Sequence, residues 1–333
     1  MSCYDPILAA VCTRNDGSRF TRLGIQSGVP LDSDGRPACD SFITFDGYSA
    51  YPVMLPCGHC LGCRCDQAKV WSNRLLMESL YHDAAFFVTL TYDDLHVPRY
   101  VSIDDDTGEY IDRMTLCKRD VQLFNKRLRK EFSNDRIRFY LCGEYGPTTD
   151  RPHYHAIYFG LHVDDLVPFG RSETGQQYYI SDRVQKVWNL GFVSVEPANE
   201  FTFKYVANYV TKKLGAKSND YYLSNHIEPP FSLCSRKPGI GYQYLSEHRD
   251  ELLDSDRVII GTDSSSYQFA PPRYFYQKLE EEGVDISDLR RRHRSSAVDR
   301  ADSIDRQTDL MPLDQLDVLE YNHAQRMKKR DGV

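Results

Sequence analysis

Residues 136–159 read RIRFYLCGEYGPTTDRPHYHAIYF. Two apolar, aromatic-rich runs, Arg136–Cys142 and His153–Phe159, predict neighbouring strands. The link between them, Gly143–Pro152, carries Gly146-Pro147 and Asp150, turn chemistry for a hairpin-like connection. In the second strand His153 and His155 stand two apart, so both imidazoles point to one face and Tyr154 to the other. Converging imidazoles supply two ligands of a metal site, although two half-buried, hydrogen-bonded histidines satisfy the same pattern. An antiparallel link brings Glu144 beside the pair. Two nitrogens and one oxygen with open positions suit Mg2+ or Mn2+ better than a closed structural zinc site.

Working outward, Phe86–Tyr92 (FFVTLTY) predicts a strand, and residues 118–132 predict a helix with Val121, Phe124, Leu128 and Phe132 on one stripe. Downstream come a helix over Asp182–Asn189 with Ser181 as N-cap and a short strand, Phe192–Val195. A helix over 199–214 follows, closed by Gly215. The order β-α-β-β-α-β, then one more helix, predicts an α+β chain of ferredoxin-like, split β-α-β type. Its antiparallel sheet is expected to carry helices on one face. Residues 1–65 read as an irregular, cysteine-rich N-terminal arm with a knuckle, and 66–217 as the core. The core opens on a helical spacing at Val70, Trp71, Leu75, Leu76 and Leu80. Residues 218–284, with Pro229-Pro230 and Pro271-Pro272, read as a loop-rich extension, and 285–333 as a charged tail, helical or partly disordered.

The chain has 333 residues, 41% hydrophobic and 27% charged, enough for a sizeable core. Its longest apolar run, Ala84–Leu90, is too short to span a bilayer, and no basic n-region precedes the N-terminal apolar stretch. A cytoplasmic protein without a membrane partner is expected. A net charge of −7 argues against a uniformly basic nucleic-acid coat but leaves room for a local face. Residues 118–138 hold eight Lys/Arg against three Asp/Glu. Lys126, Arg127, Arg129 and Lys130 there, and Arg236 and Lys237 later, read as contacts to single-stranded DNA or as solvated faces.

Tyr205 and Tyr209 are four apart on a helix and share one face, which Lys213 continues. A phenol is a poor nucleophile unless a cation or a metal-polarised target assists it, and lysines nearby supply charge. Two core aromatics at helical spacing are the plainer reading. Of ten cysteines, Cys57, Cys60, Cys63 and Cys65 fall within nine residues. Cys57, Cys60 and Cys63 have spacing suited to structural Zn2+, with His59, Cys65, Cys3 or Cys12 able to complete four ligands. An iron–sulfur site or a reduced loop would use the same pattern.

Phe87-Val88-Thr89-Leu90-Thr91-Tyr92, Arg151-Pro152-His153-Tyr154-His155 and Tyr205-x-x-x-Tyr209 resemble, in order, the three motifs of HUH endonucleases, the rolling-circle replication initiators of small circular replicons. The knuckle 56–64 and Ser235-Arg236-Lys237-Pro238-Gly239-Ile240-Gly241 are most similar to initiators of microviruses, the gokushovirus branch. The resemblance covers roughly residues 1–280. It implies His153, His155 and Glu144 as ligands of Mg2+ or Mn2+, Tyr205 and Tyr209 as paired nucleophiles, and Thr89 and Thr91 beside the site, supporting the ligands or the bound strand. It also implies nicking and rejoining of DNA through a 5′-phosphotyrosine. Tyr209-x-x-x-Lys213 reads equally as a one-tyrosine motif with a helper lysine, so whether both tyrosines act stays open. The implied partners are single-stranded or supercoiled circular DNA at an origin, in the cytoplasm of a bacterial host. No Walker-type motif occurs, so a host helicase is expected to act alongside a host polymerase. A non-enzymatic single-stranded nucleic-acid-binding protein with a zinc knuckle, and an HUH plasmid initiator or transposase, are the competing readings.

Overall fold

The computed structural model describes residues 3–23, 43–45, 47–103, 108, 110–146, 148–171, 175–212, 219–255, 257–261, 266–305, 307–310 and 312–330. The chain forms two compact units, Met1–Asp66 with Arg290–Val333, and Gln67–Leu289.

In the first unit, β1 (Ile7–Thr13), β2 (Arg19–Leu23), β3 (Ile43–Phe45) and β4 (Tyr48–Leu55) form an antiparallel sheet in the order β2-β1-β4-β3. This corrects the expectation of an irregular arm. Ala10, Cys12 and Ala50 form its small core. Side chains this small leave little of the hydrophobic contrast by which strands are read among Gly, Asp and Ser. Helix α1 (Leu61–Ser79) starts inside the knuckle, earlier than its apolar spacing indicated.

The second unit continues with β5 (Ala85–Tyr92), β6 (Arg99–Ile103), β7 (Tyr110–Met114), α2 (Lys118–Glu131), β8 (Arg138–Tyr145) and β9 (Pro152–Phe159). There follow β10 (Val167–Arg171), β11 (Gln177–Ile180), α3 (Asp182–Trp188), β12 (Gly191–Pro197) and α4 (Glu200–Lys212). After these come α5 (Asn219–Ser224), β13 (Phe231–Cys234), α6 (Tyr242–Glu247), α7 (Arg249–Ser255), β14 (Val258–Gly261), β15 (Ser266–Phe269) and α8 (Arg273–Glu281). Two helices, α9 (Ser287–Asp305) and α10 (Pro312–Arg330), end the described chain. The residues expected as a charged tail thus supply helix, and from Arg290 they belong to the first unit.

The main sheet has seven strands in the order β10-β11-β12-β5-β9-β8-β13. Its central four, β12-β5-β9-β8, are antiparallel throughout and follow the split β-α-β order. Here the expectation of helices on one face is corrected. Val88, Leu90, Tyr154, Tyr158 and Val195 pack with Phe124 and Leu128 of α2 and Trp188 of α3. The alternate residues Phe87, Cys142, Ile157 and Phe159 pack with Leu75 and Met77 of α1 and Val206 and Tyr209 of α4. Strands β5 and β9 are apolar on both faces, so both must be covered. Strand β13, from the stretch expected as loop-rich, pairs with β8 and widens the sheet. No helix among the described residues is long and apolar enough to cross a membrane.

Candidate active site

Strands β8 and β9 are in register with Glu144 opposite His153 and Cys142 opposite His155. Directly paired residues share a face, and so do residues two apart, so Glu144, His153 and His155 converge. The Glu144 Oε1 atom lies 2.8 Å from His153 Nε2 and 3.4 Å from His155 Nε2, and the two imidazoles meet edge to face with centroids 4.9 Å apart. One ligand atom from each of the three falls within 4.8 Å of the others.

The outer nitrogens of the histidines are held as well. His153 Nδ1 lies 3.1 Å from the Arg151 carbonyl oxygen, which can only accept, so Nδ1 carries a proton. In the neutral ring Nε2 then presents a lone pair toward a carboxylate, an arrangement that calls for a cation between them. His155 Nδ1 meets Thr89 Oγ1 at 3.0 Å, set by the Thr89–His155 register of β5 with β9. Thr91 stands opposite His153 in the same ladder. Burial opposes ionisation of Glu144, but hydrogen bonds to His153 and His155 outweigh it and hold its carboxyl down to about 2. The donor set fits a divalent cation.

Helix α4 begins where β12 ends, because Asn199 caps it. The Asn199 side-chain oxygen accepts from the Phe201 and Thr202 amides at 2.9 and 3.1 Å, and Thr202 Oγ1 accepts from the Asn199 amide at 2.8 Å. The helix lies on the histidine face. Tyr209 stacks on His155 with centroids 4.9 Å apart and planes 12° from parallel. Tyr205 meets the same imidazole edge to face at 5.5 Å, and Tyr209 at 4.8 Å. The two phenols differ in access, since Tyr205 is 47% exposed and Tyr209 only 6%. Burial raises both above the usual phenol range, Tyr209 further because Glu144 adds its negative charge. A hydrogen bond between them lowers Tyr205 and raises Tyr209. Tyr205 is therefore the more reachable and more readily ionised oxygen. Lys213 lies outside the described residues.

The basic residues separate into two sets. Arg129 lines one cleft of about 790 Å³ together with Arg236 and Lys237, and Arg136 and Arg138 join them there. Two basic segments more than 100 positions apart in the chain thus meet at the end of β8 and β9 remote from Glu144 and His153. Lys126, Arg127 and Lys130 are not part of that cleft. Lys126 and Lys130 are exposed, whereas Arg127 is half-buried. Cys57, Cys60 and Cys63 come together with Cys3 in the first unit.

The family model for the replication-associated protein ORF2 matches residues 85–214, the span from β5 to just past α4. The chain is 32% identical over 235 residues to replication-associated protein ORF2 of Spiroplasma virus 4, an alignment covering 69% of each chain. This chain belongs to the phage replication-associated protein family. Other members align less fully. Replication-associated protein VP4 of Bdellovibrio phage phiMH2K is 31% identical over 66% of this chain and 65% of its own. Replication-associated protein ORF4 of Chlamydia phage 1 is 27% identical over 72% of this chain and 57% of its own. No solved structure matches the chain.

Two residues at the site of this family member were not singled out in its sequence. Phe87 stacks on His155 with planes 10° from parallel and centroids 5.5 Å apart. Glu196 of β12 pairs with Phe87 in register, which puts its carboxylate on the histidine face. The signal for Glu196 was the β12 alternation, in which Val193 and Val195 face α2 and α3 while Ser194 and Glu196 face away. Glu196 is 5% exposed, and burial pushes its carboxyl up to about 7. A carboxyl raised on folding favours the neutral form, so its penalty is absent below its ordinary value of 4.5 and complete above about 7. Glu196→Gln is expected to match the parent at pH 4.5 and to exceed it at pH 8 by about 1–3 kcal/mol. Urea unfolding at the two pH values checks this, and an equal gap at both would exclude a neutral Glu196.

Proposed function

We propose that this chain initiates rolling-circle DNA replication by nicking and rejoining a single strand through tyrosine transesterification. The observation that carries the reading is the placement of Tyr205 and Tyr209 over His155, against a two-histidine, one-carboxylate donor set. His153, His155 and Glu144 would hold Mg2+ or Mn2+, which when bound neutralises charge on the non-bridging oxygens of the scissile phosphate. Tyr205 loses its proton and its oxygen attacks phosphorus. The bond to the 3′ oxygen breaks, that oxygen takes a proton, and the 5′ end stays linked to the enzyme. Because the ester is conserved, the reaction can reverse onto another 3′-hydroxyl. That is the rejoining step.

Tyr209 starts beneath His155, stabilises the Tyr205 phenolate by hydrogen bonding, and serves as second nucleophile once the helix face shifts. The cleft with Arg129, Arg236 and Lys237 suits the phosphates of the strand running off the site, and binding through it would weaken steeply with salt. The substrate would be single-stranded or supercoiled circular DNA at a phage origin in the bacterial cytoplasm. A host helicase opens the duplex and a host polymerase extends the freed 3′-hydroxyl.

Incubation with the single strand of the replicon that encodes the chain, read on a denaturing gel, tests this. An adduct on the 5′ side of the nick is expected with Mn2+ or Mg2+ and none with EDTA. Binding with no adduct under either metal would favour a non-enzymatic DNA-binding protein. In the same system Thr89→Val, which keeps the strand-forming shape but removes the partner of His155 Nδ1, is expected to weaken Mn2+ binding 10–100-fold. Titration followed by the electron paramagnetic resonance of free Mn2+ measures it, and unchanged affinity would remove Thr89 from the site.

A further inference from the structure

The ladder between β1 and β4 ends with Ile7 opposite Leu55. Continued past that end, the two strands bring Cys3 and Cys57 together although 54 positions separate them. Gly58, at φ +81°, then turns the chain in the left-handed region that disfavours other residues, and Cys60 and Cys63 follow into the first turn of α1. The sulfurs of Cys3, Cys57, Cys60 and Cys63 all lie within 4.8 Å of one another. Cys57 Sγ stands 4.0 Å from Cys63 Sγ, and Cys60 Sγ 3.9 Å from Cys3 Sγ. All four are free thiols.

Those edges match a tetrahedron of sulfurs about 2.3 Å from one central ion, whose corners are about 3.8 Å apart. Backbone amides also turn toward the sulfurs. Tyr4 and Cys63 donate to Cys60 Sγ at 3.3 and 3.5 Å, Cys60 to Cys57 Sγ at 3.2 Å, and Cys57 to Cys3 Sγ at 3.2 Å. A neutral thiol is a weak acceptor, so this arrangement suits thiolates, and four thiolates so close require a cation. The other residues able to complete the set stand elsewhere. Cys12 pairs with Ala50 inside the sheet, Cys65 Sγ faces His323 Nε2 at 3.8 Å, and His59 Nδ1 meets the Cys57 carbonyl at 3.0 Å.

We infer that Cys3, Cys57, Cys60 and Cys63 bind a single structural Zn2+ that clamps the open end of the β1–β4 ladder to the start of α1. Thiolates select a soft or borderline ion over Mg2+ or Mn2+, and the small spread of the sulfurs leaves space for one ion, not for a bridged iron–sulfur cluster. A four-thiolate shell is closed, so the ion's work is folding. A sheet whose core is Ala10, Cys12 and Ala50 buries little, and small cores depend on such staples.

The test is elemental analysis of the full chain, purified without added metal and dialysed against EDTA. One zinc per chain is expected, released by a mercurial thiol reagent. Replacement by Co2+ should produce the thiolate-to-cobalt charge-transfer and d–d absorption of a tetrahedral sulfur site. Cys3→Ser should lose the zinc, whereas Cys65→Ser and His153→Ala should keep it. A chain without zinc and without the cobalt spectrum overturns the inference, as does full zinc in Cys3→Ser or bound iron instead. If Cys3→Ser does not fold, the cobalt spectrum of the parent chain decides alone. Neither readout requires DNA cleavage, so this inference and the nicking reading fail separately.

Discussion

Tyr205→Phe is expected to abolish the covalent protein–DNA adduct and to lower strand cleavage by about 10³-fold or more, with DNA binding unchanged. Phenylalanine preserves the ring that meets Phe87 at 5.8 Å, His155 at 5.5 Å and Tyr209 at 4.8 Å, so only the attacking oxygen is removed. Tyr209→Phe should behave differently. Its ring is sandwiched beneath His155 and hidden from DNA, and its hydroxyl acts first on Tyr205. Loss of that hydrogen bond raises the barrier to forming the Tyr205 phenolate, so first cleavage slows by about 10-fold, an effect the size of one hydrogen bond to a charged group. The second strand transfer is lost altogether. Single-turnover cleavage of end-labelled DNA, followed by chase with an acceptor strand, separates the two steps. An adduct that survives Tyr205→Phe and disappears in Tyr209→Phe would exchange the roles.

The middle of the second unit was legible because its signals are periodic and strong. The alternation of His153, His155, Ile157 and Phe159 against Tyr154, Ala156 and Tyr158 divides β9 between two cores, and each set is found in its own. Glu144 could be placed because the connection to His153 is short and turns at Gly146. What escaped notice has physical causes. Hairpin β6–β7 exposes Val101, Ile103 and Tyr110, so its apolar residues carry no burial pattern, and β10 exposes Val167 and Phe169 likewise. Strand β13 is four residues long, too brief for a period to register. The cover of both sheet faces was missed because apolarity on two faces of a strand reads simply as a buried run. Cys3 was one of four residues able to complete the knuckle, and only the β1–β4 register singles it out.

The second large effect concerns stability and centres on Glu78, near the end of α1. Its carboxylate, 4% exposed, accepts from Arg138, from His82 Nε2 at 3.2 Å and from the Gly241 amide at 2.7 Å. One side chain thereby ties α1 to the start of β8 and to the turn before α6. Arg138 also donates to the Pro238 carbonyl at 3.0 Å, so the guanidinium is fixed from two sides. Glu78→Ala leaves this cation half-buried without its counter-charge and the Gly241 amide without an acceptor. The expected loss is about 3–5 kcal/mol, the range for breaking a buried pair by removing one partner. Glu78→Gln keeps the shape and the acceptor for Gly241, so about 1–3 kcal/mol is expected. Burial opposes ionisation of Glu78, but hydrogen bonds from His82 and Arg138 outweigh it and hold its carboxyl below 4.5. Its stabilisation is therefore present above that pH and is lost as the pH falls through the folded-state value. Urea midpoints should differ most between the parent and Glu78→Gln near neutrality and converge in acid, with the slope unchanged. A gap that stayed constant with pH would assign the effect to packing instead of charge. Since Glu78 lies at the Arg138 end of β8 and Glu144 near the other, adduct formation by folded Glu78→Gln should equal the parent's. A deficit there would mean that the ion pair also sets the position of Glu144.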